Sequence, residues 1–264
     1  QLIHQLLKGL AILSASFIFI VVGVILVNGI TPFITDNGGI GAVDPFKFLT
    51  GDTWLTGETF NSNLYSVGFI IISTLYVVSL SLLISFPVGI LTALFIAKIA
   101  PKKLAEFLRT IVEILASIPS IIYGLFGAGV ILRMVYNFSA LLGYQSKRGS
   151  SVVSTVIISA LMTIPTITTI SEVAIRSVDK SLIEGSLALG ATKTQTHFKV
   201  VLSAAKSGIF TSAILGVGRA LGEATAISLV AGGRRSGLSF DILDTTSTLT
   251  TTMLEGMKES SGID

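Results

Sequence analysis

Cysteine is absent from the sequence, and histidine occurs only at positions 4 and 197. A thiolate nucleophile, a disulfide framework and a multi-histidine metal site are excluded on those counts. Charge is also scarce: 12% of the 264 residues are Asp, Glu, Lys or Arg, against roughly 25% in soluble domains. No basic tract carries interleaved aromatics, so nucleic acid is not an expected partner. Residues 185–194, GSLALGATKT, superficially resemble a phosphate-cradling loop. They fail as one, because the lysine has to follow the second glycine directly and Ala191 and Thr192 intervene. The chain has no nucleotide site of its own, and no cofactor is expected within it.

Apolar side chains are what the sequence has in abundance. They make up 51% of the residues, and the mean hydropathy is +0.83. This predicts an all-α, polytopic bundle of transmembrane helices, read as one domain over 1–264 because no internal repeat or low-complexity linker divides it. Residues 6–30 are long enough to cross a hydrocarbon core of about 30 Å. They are too long, and lack the cleavage site, for a signal peptide, so they read as a retained first span. Residues 31–63 are polar, with Asp36, Asp44, Asp52 and Glu58 against Lys47, and read as an external loop whose Trp54 lies at the membrane interface. Residues 64–97 form the second span, preceded by an interfacial helix and kinked at Pro87-x-Gly89. Lys98, Lys102, Lys103 and Arg109 then crowd a short loop opposed only by Glu106. By the positive-inside rule that loop is cytoplasmic, and so is the N-terminus.

The third span is expected over 110–142, broken at Pro119, with Glu113 near its inner end and Arg133 near its outer end. The fourth covers 152–170 and the fifth 209–230. Residues 232–264 follow as a polar external segment with a weak amphipathic helix over 249–257. The core lies at about 64–231. Five spans leave the C-terminus outside.

Between the fourth and fifth spans the pattern changes. Residues 182–189 read as a short helix closed by Gly190, since glycine supplies the left-handed conformation that ends helices. A second helix starts near Thr192, with Lys193, His197, Lys199 and Lys206 on its polar side and Phe198, Val200, Val201 and Leu202 on its apolar side. This corner, 181–203, is too polar to cross a membrane and belongs at the cytoplasmic surface.

Glu184-Gly185-Ser186, then Gly190, then Val200 and Leu202 resemble the EAA loop of ABC importer permeases. Gly185 and Ser186 stand where that pattern has alanine, Val200 where it has isoleucine and Ser203 where it has proline. Ile118-Pro119-Ser120-Ile121-Ile122-Tyr123-Gly124-Leu125-Phe126, Leu187-Ala188-Leu189-Gly190-Ala191-Thr192 and Gly218-Arg219-Ala220-Leu221-Gly222-Glu223 together resemble the phosphate-specific permeases, PstC and PstA. Thr248-Leu249-Thr250-Thr251-Thr252-Met253 is more similar to the PstC branch. The resemblance covers about 73–261 and implies the MetI-like permease fold. It also implies a sixth span, absent from these residues, so a continuation beyond Asp264 is expected.

Arg219 and Glu223 are four residues apart in an apolar stretch, and a continuous helix would put them on one face. Ionisable residues at membrane depth are costly and mark functional sites by default, although a mutual ion pair that staples the bundle is the plainer alternative. Arg219 offers a planar fork of donors that matches tetrahedral oxyanions, and Glu223 would neutralise it when no anion is bound. Gly218 and Gly222, with Gly216, Ala220 and Ala224, read chiefly as a close-packing surface. Arg133, Lys147, Arg148, Arg234 and Arg235 fall on the expected outer side. They read as a positive mouth that attracts an anion, or as solvated loop charge, or as a docking surface for a binding protein.

The resemblance implies that Glu184, Gly185, Ser186, Leu189 and Gly190 dock a dimer of ATP-binding cassette subunits, on which ATP and magnesium would be held. Arg219, Glu223 and Arg133 would line the substrate path. The other implied partners are a second, PstA-like permease, an external phosphate-binding protein and the lipid bilayer of the cell inner membrane. The chain would be a transport subunit, not an enzyme, moving inorganic phosphate inward by alternating access. The alternatives are a permease for sulfate or molybdate, a phosphate-sensing component that transports nothing, and a secondary transporter, which the corner disfavours.

Overall fold

The computed structural model describes residues 2–35, 42–54, 65–144 and 148–259. Asp36, Glu58 and Lys147 lie outside the described residues. The chain divides into two compact units, residues 1–69 with 260–264, and residues 70–259. Among the described residues the structure is helical and no β-strand forms.

In the first unit, α1 (Leu2–Ile34) is a single apolar helix, and His4–Ile34 is long and apolar enough to cross a membrane. A short helix, α2 (Pro45–Thr50), starts where the Phe46 amide donates to Asp44 Oδ1 at 2.9 Å and Pro45 supplies a preset φ in the first turn. Edge-to-face ring pairs, Phe33 with Phe48 and Trp54 with Tyr65, fix the connecting segment. Within the stretch expected as a loop, the described residues 42–54 therefore hold a helix and aromatic contacts of their own.

The second unit begins inside α3 (Gly68–Leu94), which runs unbroken through Pro87 and closes in a π turn, Phe95–Ile99. The basic segment after it is a helix, α4 (Lys102–Ser117), not a loop. It stops because Ile118 precedes proline and takes an extended conformation, ψ 126°. The third span therefore starts at Ser120 instead of 110: α5 (Ser120–Phe126), a π turn (Gly127–Ile131) and α6 (Leu132–Leu141) are continuous. Glu113 falls on α4, outside that span.

The fourth span, α7 (Val152–Arg176), is six residues longer than the sequence suggests, with 152 and 176 as its ends, and most of its faces are buried. The corner follows as α8 (Lys180–Ala188), α9 (Lys193–Gln195), a π turn (Thr196–Val201) and α10 (Leu202–Ala204). Next comes α11 (Lys206–Gly222), bent by 68° from the piece before it. The expected helix over 209–230 is interrupted: Glu223 is extended, ψ 115°, and only α12 (Thr225–Ser228) continues beyond it. Counted by length and apolar character, the described residues hold four candidate spans, or five if the bent pair is one.

The packing of α11 on α7 uses a row of small residues that includes Gly216 and Ala220 of the expected surface but not Gly218 or Gly222. A methyl group at Gly208 would lie 2.4 Å from Ala174 Cβ, and one at Gly216 would lie 3.0 Å from Ile167 Cγ1. Between them the Ser212 and Ser171 hydroxyls are hydrogen-bonded at 2.9 Å. Gly208, Ser212, Gly216 and buried Ala220 thus form the close seam. Gly218 and Gly222 face open space. The last segment, expected as a polar external stretch, folds back onto the helix ends. Val152 and Val153 amides donate to the Asp244 and Ile242 carbonyls, both at 2.9 Å. Thr245 to Thr248 are buried, and α13 (Leu249–Glu259) follows.

Candidate functional site

Arg219 occupies the last turn of α11 and is half-buried. Its Nη1 donates to Thr166 Oγ1 of α7 at 3.1 Å. Glu223 is not its partner: the break after Gly222 turns that carboxylate away, and its Oε1 accepts from the Ala226 amide at 3.0 Å. The Glu223 carbonyl accepts from Thr250 Oγ1 at 2.8 Å. Glu223 therefore caps α12 and anchors α13, and the two residues do not share a helix face. Among the described residues Arg219 is in no ion pair. The site so formed is a guanidinium within an apolar bundle, steadied by a neutral hydroxyl and flanked by the open Gly218 and Gly222. It has donor capacity to spare for an oxyanion.

The corner is built from local rules. Asp179 accepts from the Ser181 amide at 2.9 Å and starts α8. Hydrogen bonds from Ser181 hold the Asp179 carboxyl below its usual range. Gly190, at φ +83°, reverses the chain. Thr192 and Gln195 then form a reciprocal cap, with Thr192 Oγ1 accepting from the Gln195 amide and Gln195 Oε1 from the Thr192 amide. Ser186 and Thr196 hydroxyls, 2.9 Å apart, tie α8 to the following π turn. No residue of α8 is buried. Glu184 is exposed, Gly185 has nothing within reach of an added methyl, and Leu189 is 90% exposed beside the exposed Leu182 and Leu187. The structure thus brings Glu184, Gly185, Ser186, Leu189 and Gly190 together on one free corner, away from Arg219 on the far end of α11.

Two outcomes differ from the sequence reading. Arg109 is not loose loop charge: its Nη2 lies 2.6 Å from Glu172 Oε1, which also accepts from Arg176 Nε at 2.7 Å. Glu172, 5% exposed, is a buried carboxylate between two guanidiniums that joins α4 to α7. Its signal in the sequence is an acid two residues past the expected end of the fourth span, with arginine four residues on. Arg234 is likewise engaged, in an ion pair with Asp244 and hydrogen bonds to the Ser236 and Gly237 carbonyls, so it is no part of a free positive mouth. Arg133 and Arg148 share one groove.

Residues 85–255 match the family described as binding-protein-dependent transport system inner membrane component. The chain is 38% identical to the probable ABC transporter permease protein YqgH of Bacillus subtilis, covering 85% of this chain and 69% of that one. It is 28% identical to the phosphate transport system permease protein PstC 1 of Mycobacterium tuberculosis, over 84% of this chain and 80% of that protein. It is 32% identical to the probable phosphate transport system permease protein PstC of Methanocaldococcus jannaschii, over 70% and 62%. Among solved structures, an inward-facing MetNI methionine ABC transporter aligns with a TM-score of 0.41 at 25% identity, over 59% of this chain and 69% of that one. The family match over 85–255, together with helices able to cross a membrane several times, makes the chain a multi-pass inner-membrane protein. It belongs to the binding-protein-dependent transport system inner membrane components, the permease subunits of ABC transporters.

Proposed function

We propose that this permease imports inorganic phosphate, with Arg219 as the contact for the anion. The observation that carries the reading is the setting of that arginine: it lies among apolar helices and, among the described residues, donates to a threonine hydroxyl with no carboxylate against it. A permanently charged fork in such a setting has a strong preference for a tetrahedral oxyanion. Relatives named as PstC phosphate permeases support the same substrate. In this reading Glu223 acts on the path indirectly, by fixing the break that ends α11 just past Arg219.

The corner at 181–203 faces the cytoplasm and receives a dimer of ATP-binding cassette subunits, where ATP and magnesium are bound. The N-terminus is then also cytoplasmic. A PstA-like permease completes the bundle, and an external phosphate-binding protein delivers the anion. Closure of the ATPases pushes on α8, and the bend at Ala205 transmits the movement into α11.

ATP-dependent uptake of labelled phosphate into proteoliposomes holding the full complex tests this reading, with sulfate and molybdate as competitors. Uptake that neither competitor reduces, and that Arg219→Ala abolishes in an assembled complex, is the expected result. Preferential transport of sulfate or molybdate would sink the phosphate assignment and leave the permease assignment standing. Gly190→Val tests the corner: at φ +83° a β-branched residue is strained, and ATP hydrolysis is expected to continue while phosphate uptake falls. Unchanged stoichiometry between the two would remove this corner from transmission.

A further inference from the structure

Arg219 is not the only arginine without a carboxylate. Arg133 lies on α6, roughly 12 Å before its end at 1.5 Å per residue, and Arg148 lies in the turn that leads into α7. The fold brings both to one open groove of ≈ 520 Å³, with Leu132 and Tyr136 on the α6 side and Ala128 and Gly129 at the π turn. Nothing stands within 4 Å of where a methyl on Gly129 would be, so that part of the groove is clear.

The turn that delivers Arg148 is held firmly. Arg148 has φ 56°, the left-handed region that non-glycine residues seldom occupy. Gly149, at φ +84°, sits so close to α6 that a methyl there would lie 1.9 Å from the Leu132 carbonyl oxygen. The Ser154 hydroxyl donates to the Gly149 carbonyl at 2.7 Å, and Ser151 caps α7 beside it. An unfavourable backbone held in place by its surroundings is characteristic of functional positions. Its effect here is to present a second guanidinium to the groove of the first. Neither Arg133 nor Arg148 has an ion pair or a side-chain hydrogen bond among the described residues, whereas Arg109, Arg176 and Arg234 are all paired. Two like charges facing one cavity repel each other unless an anion lies between them. The groove offers that anion two planar forks and the phenol of Tyr136, and among the described residues no carboxylate lines it.

We propose that Arg133, Arg148 and Tyr136 form a binding site for a phosphoryl oxyanion, separate from Arg219. The occupant is either free phosphate, held before it reaches the span, or the phosphate of a lipid headgroup. The first version rests on the phosphate reading above, and the second does not. The test compares the full complex with its Arg133→Gln, Arg148→Gln and doubly substituted forms, and with Arg133→Lys, in vesicles of phosphatidylcholine alone and with added phosphatidylglycerol.

If the occupant is free phosphate, the half-saturating concentration for uptake rises about tenfold in the double variant. Maximal uptake stays within about twofold, lysine restores most of the loss, and both lipids give the same result. If the occupant is a headgroup, phosphatidylglycerol raises the Tm of the wild-type complex, the double variant loses that rise, and half-saturation does not move. If neither quantity changes in assembled variants, the site does not exist. Should the wild-type complex carry no phosphate at all, the substrate reading fails on its own. The groove is then judged by the Tm shift that inorganic phosphate causes against chloride of equal ionic strength. The groove requires that shift to survive Arg219→Ala and to vanish in the double variant; any other pattern overturns it.

Discussion

Glu172 and Arg219 sit on neighbouring packed helices, α7 and α11, and their charges are handled in opposite ways. The buried carboxylate is closed off, holding two guanidiniums that reach it from α4 and from its own helix. The guanidinium is left open, with one neutral hydroxyl and space at Gly218 and Gly222. A satisfied cluster locks elements together, and an unsatisfied one keeps donors for a visitor. The helix pair thus has a fixed end at α4 and a receptive end at the break after Gly222.

The comparison breaks most easily at the open end. Arg219→Ala is expected to lower ATP-dependent uptake about 100-fold or more, the loss of a charge-assisted contact worth roughly 2.7 kcal/mol, while the complex still assembles on a sizing column. Retained uptake would make Arg219 structural and erase the contrast. At the closed end Glu172→Gln leaves two cations facing each other. The buried-pair cost of about 3–5 kcal/mol has to be discounted because the arginine side chains are 39% and 43% exposed, so a loss of about 2–3 kcal/mol in unfolding free energy is expected. Uptake per folded complex should change little, and a transport defect without a stability defect would move Glu172 into the path.

The seam between the two ends sharpens the contrast. Gly208→Val forces side-chain atoms into Ala174 and should cost about 1–3 kcal/mol by thermal unfolding. Gly218→Ala meets nothing among the described residues and should stay within about 0.5 kcal/mol. An assembly defect confined to Gly218→Ala would show that the open face is covered by the second permease. The smallest effect concerns the Arg234–Asp244 pair. Burial pushes the Asp244 carboxyl up, but the Thr245 amide and Arg234 outweigh it and hold its pKa below the usual range. A carboxyl depressed on folding contributes its stability in full above the unfolded carboxylate range and loses it as pH falls through the folded value. Hydrogen exchange over 231–248 should accordingly quicken at acid pH and be steady near neutrality. A rate that ignores pH after correction for intrinsic exchange would remove this pair from the tether.

Much of this architecture was legible. Long apolar runs located the first, second and fourth spans, Pro119 marked a true break, and Gly190 and Thr192 marked the corner, because each acts through backbone rules that need no distant partner. Misreadings arose where a distant partner decided the outcome. The four-residue spacing of Arg219 and Glu223 implied a shared face, yet Glu223 leaves the helix to cap Ala226 and to receive Thr250 from 27 residues away. Gly218 and Gly222 read as a packing motif together with Gly216 and Ala220, yet α7 packs on the row at 208, 212, 216 and 220, which has the same four-residue spacing, and only the position of α7 selects that row for the contact. The Glu172 cluster needs Arg109, 63 residues earlier, so its position in the fold was hidden although its acid was visible.

The π turn Thr196–Val201 lies within the corner, between α8 and the bend that leads into α11. A π turn is one residue of surplus in an otherwise regular helix, and one residue is about 100° of rotation. That single residue sets the phase between the surface that α8 presents and the face on which Arg219 lies. Deleting it would leave every side chain after it intact and aim all of them about a quarter-turn away. The rotational setting of this permease is therefore stored in chain length, not in any one side chain, and point substitutions alone cannot reset it.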